Sequence, residues 1–166
     1  MPVRHEYKLS LVEATSVADV RAPAGVLVRG VSPADTHGLA DLILDAYRNT
    51  IDYEGEGLAE AVAEIERYFT RASMKPAIAQ CSSALDFRDS MSCACLLECW
   101  ARRNVPFVGF VICRAAHKHK GLGKFALQQS VEKLVRAGYS ELRTLITKGN
   151  TASEALFTHA GFRRVD

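Results

Sequence analysis

Apolar residues recur along this chain with two different periods, and the change from one to the other divides it. Leu39, Leu42, Ile43, Ala46 and Tyr47, then Leu58, Val62, Ile65 and Phe69, return every three or four residues, the spacing of one helix face. The first of these helices is announced by "SPAD", with Ser32 as N-cap, Pro33 at the first helical position and Asp35 adding early negative charge. Between the two lies an acidic, glycine-bearing loop, "IDYEGEG". After Pro76 the pattern shortens, and "AIAQCSSALDF", "SCACLLECWA" and "VPFVGFVIC" read as three successive strands joined by "RDSM" and "RRN". The last is apolar on both faces, as a central strand should be, and Gly109 inside it predicts a bulge or a close backbone approach. A further helix begins near Gly121, carries Leu122, Phe125, Ala126, Leu134 and Val135, and stops at Gly138. The strand "ELRTLIT" follows, and Thr151 with Glu154 forms a capping box before a short helix that ends at Gly161. Upstream, "GVLVRGV" reads as a strand, residues 15–24 as a loop, and His5–Ala14 as a weak edge strand. Together these elements predict an α/β (α+β) chain: an N-terminal extension over 1–24 and one domain over 25–166.

At 166 residues the chain suits one compact domain with a real core. A formal net charge of only +2 makes any lysine cluster a local feature, which argues against a nucleic-acid binder with its broad basic face. No apolar run approaches the roughly 20 residues of a membrane span. Residues 1–24 lack the apolar centre of a signal peptide, so a cytoplasmic location is expected. The cysteines are odd in number, five, which favours free thiols in a reducing compartment, and no fourth ligand stands near Cys93, Cys95 and Cys99 at a zinc-like spacing.

The chemistry concentrates in "HKHKGLGKFA", where three lysines and two glycines meet the opening of a helix. First-turn N–H groups have no intrahelical partner and the helix dipole makes that end positive, so the place can receive an anion such as a phosphate or pyrophosphate. A P-loop fails twice, with Lys118 at the first glycine position and Phe125 where Ser or Thr belongs. A dinucleotide fingerprint matches formally at Gly121, Gly123 and Ala126, but Glu141 falls before its strand rather than at the end where a ribose-binding acid sits.

The stretch from Val105 to Phe162 carries an apolar strand, a basic turn with two glycines, a helix ending in "AGY", a strand and then "GNTASEALFTHAGF". It resembles the GCN5-related N-acetyltransferase (GNAT) family. The resemblance implies a mixed, mostly antiparallel central sheet flanked by about four helices. It implies acetyl-CoA as co-substrate, its diphosphate lined by Lys118, His119, Lys120, Gly121, Leu122, Gly123 and Lys124. Val111, Ile112 and Cys113 would pair with the pantetheine arm through their backbone, and Asn150 would lie beside it, with capping duty as the alternative. The family reaction is a direct attack of an amine on the acetyl carbonyl, so the partners are acetyl-CoA and an amine of a small molecule or protein. The tyrosine that many members use to protonate the leaving thiolate is replaced by Phe157, leaving Tyr139, Tyr53, a water or no dedicated acid. Glu98 is the candidate base, because an acid inside "CLLECWA" is costly unless used or turned outward. In the acidic loop Asp52, Tyr53, Glu54 and Glu56 border the expected acceptor pocket. The family continues beyond "GF" with more strand, whereas here "GFRRVD" ends. That edge could come from residues 5–14 or from a partner subunit in a homodimer, or stay absent. The alternative function is a catalytically weak or inactive CoA-binding regulatory domain. Gly121→Glu is expected to abolish acetyl-CoA binding in a calorimetric titration; unchanged affinity would remove the diphosphate assignment.

Overall fold

Alternating and helical stretches of this chain sort into one sheet with a helical layer on each face. The computed structural model describes residues 1–12 and 21–166, so most of the loop expected over 15–24, and the end of the strand expected to reach Ala14, lie outside the described residues. The strands are β1 (Arg4–Ser10), β2 (Val26–Arg29), β3 (Ser83–Phe87), β4 (Ser90–Trp100), β5 (Val105–Cys113), β6 (Glu141–Thr147) and β7 (Arg163–Arg164). The helices are α1 (Thr36–Tyr47), α2 (Leu58–Ala72), α3 (Pro76–Ala79), α4 (Leu122–Arg136) and α5 (Thr151–His159). The strand order is β2-β3-β4-β5-β6-β1-β7, with every pairing antiparallel except that of β5 with β6. The expected α/β class with a mixed, mostly antiparallel sheet is what forms. No helix among the described residues is long and apolar enough to cross a membrane.

Several local expectations need correction. The strand expected from Ala77 begins only at Ser83, because Pro76 opens a helical turn, α3, that adds a fifth α-helix. On α2 the buried stripe is Ala61, Ile65, Tyr68 and Ala72, while Leu58 is 55% exposed. Tyr68 wins the inward position over Phe69 because its hydroxyl donates to Leu97 O at 2.8 Å and meets Ser82 Oγ at 3.2 Å, which satisfies a polar tip inside the core. The "RDSM" connection tightens to Arg88 and Asp89, both at positive φ (51° and 63°), a backbone twist that suits a two-residue hairpin. The first strand lies one place in from the sheet edge, paired with β6 from Arg4↔Thr147 to Ser10↔Glu141 and with β7 on its other side.

The two cores differ in composition. Leu97, Val108, Leu127, Leu134, Leu142 and Phe157 fill the space between the sheet and α4/α5. Leu39, Leu42, Ile65, Tyr68, Leu96 and Ile112 fill that between the sheet and α1/α2. Cys93 and Cys95 point into the α4 side and are fully buried, and burial pushes the Cys95 thiol up to about 12. Such thiols behave as small apolar residues. Tyr68→Phe is expected to destabilise the fold by about 1–3 kcal/mol in urea unfolding, since it leaves the buried Leu97 carbonyl one donor short. An unchanged midpoint would show the hydroxyl contributes nothing.

Candidate active site

The site forms where β5 and β6 come apart. These parallel neighbours pair in register only at Phe107↔Arg143. Opposite, on β4, Leu96 faces Phe110 and Leu97 faces Val108, so Gly109 is the extra residue of the bulge that its position predicts. Without a side chain at 109 the cleft stays open at the bulge. A cavity of about 630 Å³ follows, walled by Phe107–Val111 of β5, Thr144–Thr147 of β6, α1, α2 and the acidic loop. Among the described residues, the β6-facing edge of β5 beyond Val108 has no strand partner, which leaves the backbone of Val111 and Cys113 able to accept an added strand-like chain. Ile112 turns its side chain into the α1/α2 core and can contribute only backbone.

Glu98 lies inside, with 8% exposure, and is not the outward-facing residue of the alternative reading. Arg71 Nε donates to its Oε2 at 3.1 Å and Oε1 at 3.3 Å. A methyl group placed on Gly109 would meet the Glu98 carboxyl carbon at 3.8 Å and Oε2 at 3.9 Å, so the acid rests against the bulge. Burial raises the Glu98 pKa above the ordinary carboxylate value and the Arg71 guanidinium opposes that rise. Asp52, Tyr53, Glu54 and Glu56 all reach the cavity wall, joined by Glu60 and Glu64 of α2. Three arginines share that wall, Arg4, Arg67 and Arg71. Two of them are neutralised nearby, Arg67 by Glu64 at 2.5 Å and Arg71 by Glu98. Trp100 stacks on Phe107 with centroids 5.1 Å apart and lines the cavity rather than the core.

The basic turn keeps its donors free. Gly121 caps α4 in the left-handed region at φ 77° with open space around it. Among the described residues no protein acceptor takes the N–H of His119, Lys120, Gly121, Leu122, Gly123 or Lys124; the first helical bond runs from Phe125 N to Gly121 O at 3.0 Å. Gly123 lets that turn sit close on β5, where a Cβ would come 3.6 Å from the Val111 side chain. These groups fit a diphosphate. Lys118 departs from the set: its N–H donates to Ala115 O at 3.3 Å and its ammonium to Ala46 O at 2.7 Å.

Asn150, not Thr151, caps α5. Its Oδ1 accepts from Ser153 N at 3.1 Å and its Nδ2 donates to Asp52 Oδ2 at 2.7 Å, while Thr151 already lies within the helix. Both ends of this amide are therefore used by the protein. Phe157 faces the cavity without a hydroxyl and packs edge-on against Phe162. Tyr139 packs in the α4-side core and His159 is exposed, whereas Tyr53 lines the cavity with its hydroxyl donating to Glu56 O at 3.3 Å.

Sequence reading missed Arg71, Glu64 and Arg4. The row Glu60, Glu64, Arg67 and Arg71 recurs at helical spacing and passes for a solvated face. Only the sheet edge that α2 overhangs turns that row toward a cleft.

The fold is similar to that of solved GNAT acetyltransferases. Residues 88–162 match the Acetyltransferase (GNAT) family model. No curated protein sequence matches the chain. Solved structures share the fold. A GCN5-related N-acetyltransferase from Sphaerobacter thermophilus superposes with a TM-score of 0.72 at 16% identity, covering 99% of this chain and 50% of that one. This chain thus spans half of that protein. The PaiA N-acetyltransferase of Thermoplasma acidophilum, solved in complex with coenzyme A, gives 0.66 at 15% identity and covers 83% and 89% of the two chains. YncA of Salmonella typhimurium, solved with its cofactor acetyl-CoA, gives 0.64 at 18% identity over 84% and 80%.

Because the Glu98 pKa is raised on folding, the stability it contributes is present at low pH and lost as pH rises through the folded value. Arg71→Gln removes the opposing cation. It is expected to move the Glu98 carboxyl titration, followed by carbon-13 NMR, to higher pH and to steepen the loss of stability on going from acid toward neutral pH. A titration at the wild-type position would show that the ion pair does not reach the carboxylate in solution.

Proposed function

We propose that this chain transfers the acetyl group of acetyl-CoA directly to an amine of a small molecule or protein. The observation that carries this reading is three features brought together around one cavity, the basic turn meeting its wall where Gly123 packs on Val111. They are uncommitted amides at the start of α4, an unpaired β5 edge, and a buried carboxylate against the Gly109 bulge. Bound acetyl-CoA supplies an activated thioester. The amides of His119 to Lys124 hold its diphosphate, helped by the exposed Lys120 and Lys124. The β5 backbone steadies its arm, and an N–H at the bulge polarises the carbonyl oxygen.

Glu98 accepts the proton of the attacking amine. A carboxylate with a raised pKa, held by Arg71, is a better base than an exposed one. The C–N bond forms as the C–S bond breaks, and the thiolate takes its proton from water or from Tyr53, because Phe157 offers none. Six carboxylates against three arginines on the wall favour a cationic acceptor. The absent hydroxyl at Phe157 is the one observation that favours the second reading, a CoA-binding domain with little turnover. Five unpaired thiols suit a reducing compartment, consistent with a cytoplasmic protein.

Calorimetric titration with acetyl-CoA is expected to show binding at micromolar concentrations, and thiol release is expected with polycationic amines. No binding would remove both readings; binding without release against an amine panel would leave the second. Glu98→Gln is expected to lower kcat by about 100-fold or more while leaving the acetyl-CoA affinity near wild type. A wild-type kcat would take the base role away from Glu98.

A further inference from the structure

The last turn of α1 is tied along one edge to the segment that leads into the basic turn. Its final carbonyls have no helical N–H to accept from. One of them, Ala46 O, accepts the Lys118 ammonium at 2.7 Å, a partner far away in sequence. Asp45 Oδ2 accepts from Ala115 N at 2.6 Å. One turn earlier on the same face, Asp41 Oδ2 lies 3.5 Å from Arg114 Nη1. Three contacts thus bind 41–46 to 114–118.

The acidic loop leaves α1 directly after these ties. It is held again at its middle, where Asp52 accepts from Asn150 and Ile51 lies 3.9 Å from the Cβ position of Gly149. Tyr53, Glu54 and Glu56 follow and reach the cavity. The acceptor side of the cleft is therefore fastened to the cofactor side at the start and at the middle of this loop. The Lys118 ammonium is drawn toward the end of α1 by the Ala46 carbonyl and its backbone N–H is committed to Ala115 O, unlike the free amides that follow it. Lys120 and Lys124 form no hydrogen bond or ion pair with the described residues and stay available.

We propose that Lys118 is a positioning residue for the acceptor loop rather than a diphosphate ligand: its ammonium, together with Asp45, locks the end of α1 to the segment preceding the phosphate turn. The loop's role in holding an acceptor rests on the acetyltransferase reading above; the mechanical tie does not.

Two measurements on the full chain separate these. In the unliganded protein, Lys118→Met is expected to speed amide hydrogen exchange across residues 48–53 about tenfold, and Lys118→Arg to restore protection, since a guanidinium can still donate to Ala46 O. Asp45→Asn is expected to raise exchange in the same residues. In calorimetric titration with coenzyme A, Lys118→Met is expected to keep its Kd within about threefold of wild type, whereas Lys120→Met/Lys124→Met weakens binding about tenfold or more. Unchanged exchange in Lys118→Met, or a coenzyme A affinity lost by tenfold or more in that variant alone, overturns the proposal. Should the wild type bind no coenzyme A, the acetyltransferase reading fails while the exchange result still decides the tie.

Discussion

The parallel pair β5–β6 meets at one residue pair and then opens, and nearly everything of functional interest follows from that parting. Parallel strands in a sheet normally continue their ladder, because an unpaired row of N–H and C=O groups inside a protein is costly. Here the row is left open on β5, and the cost is borne because the cleft admits water and can admit a ligand with amides of its own. Gly109 contributes to the same opening. As the extra residue of the bulge it keeps Val108 facing α4 while turning Phe110 toward α2, so the strand serves both cores without closing on β6.

Charge along the cleft is divided by function. The α4 end presents lysines and uncommitted N–H groups, and the α1–α2 end presents carboxylates. This local separation coexists with a net charge of only +2 for the whole chain. A field of one sign at each end favours an anion at one end and a cation at the other.

Glu98 shows how one buried acid is tolerated. Its desolvation is offset in part by the Arg71 guanidinium, which is itself half in solvent and gives up little hydration to stay there. Removing the carboxylate would relieve the burial cost, so its presence opposes stability.

The sequence by itself determined most of the elements and pointed to the start of α4, with its free N–H groups, as a candidate anion site. Hydrophobic period, Ser32–Pro33, Gly121 and Gly161 are local signals, and local backbone preferences act within a few residues, so they survive in any context. The bulge at Gly109 was legible for the same reason. Tertiary structure decided which of two adjacent residues, Tyr68 or Phe69, faced inward, because the choice turned on a distant carbonyl at Leu97. It also decided that Lys118 reaches Ala46, that Asn150 spends both amide ends on protein, and that the charged row of α2 borders a cleft. The Lys118–Ala46 and Asn150–Asp52 contacts join atoms far apart in the chain at 2.7 Å, and no periodicity or spacing carries that information.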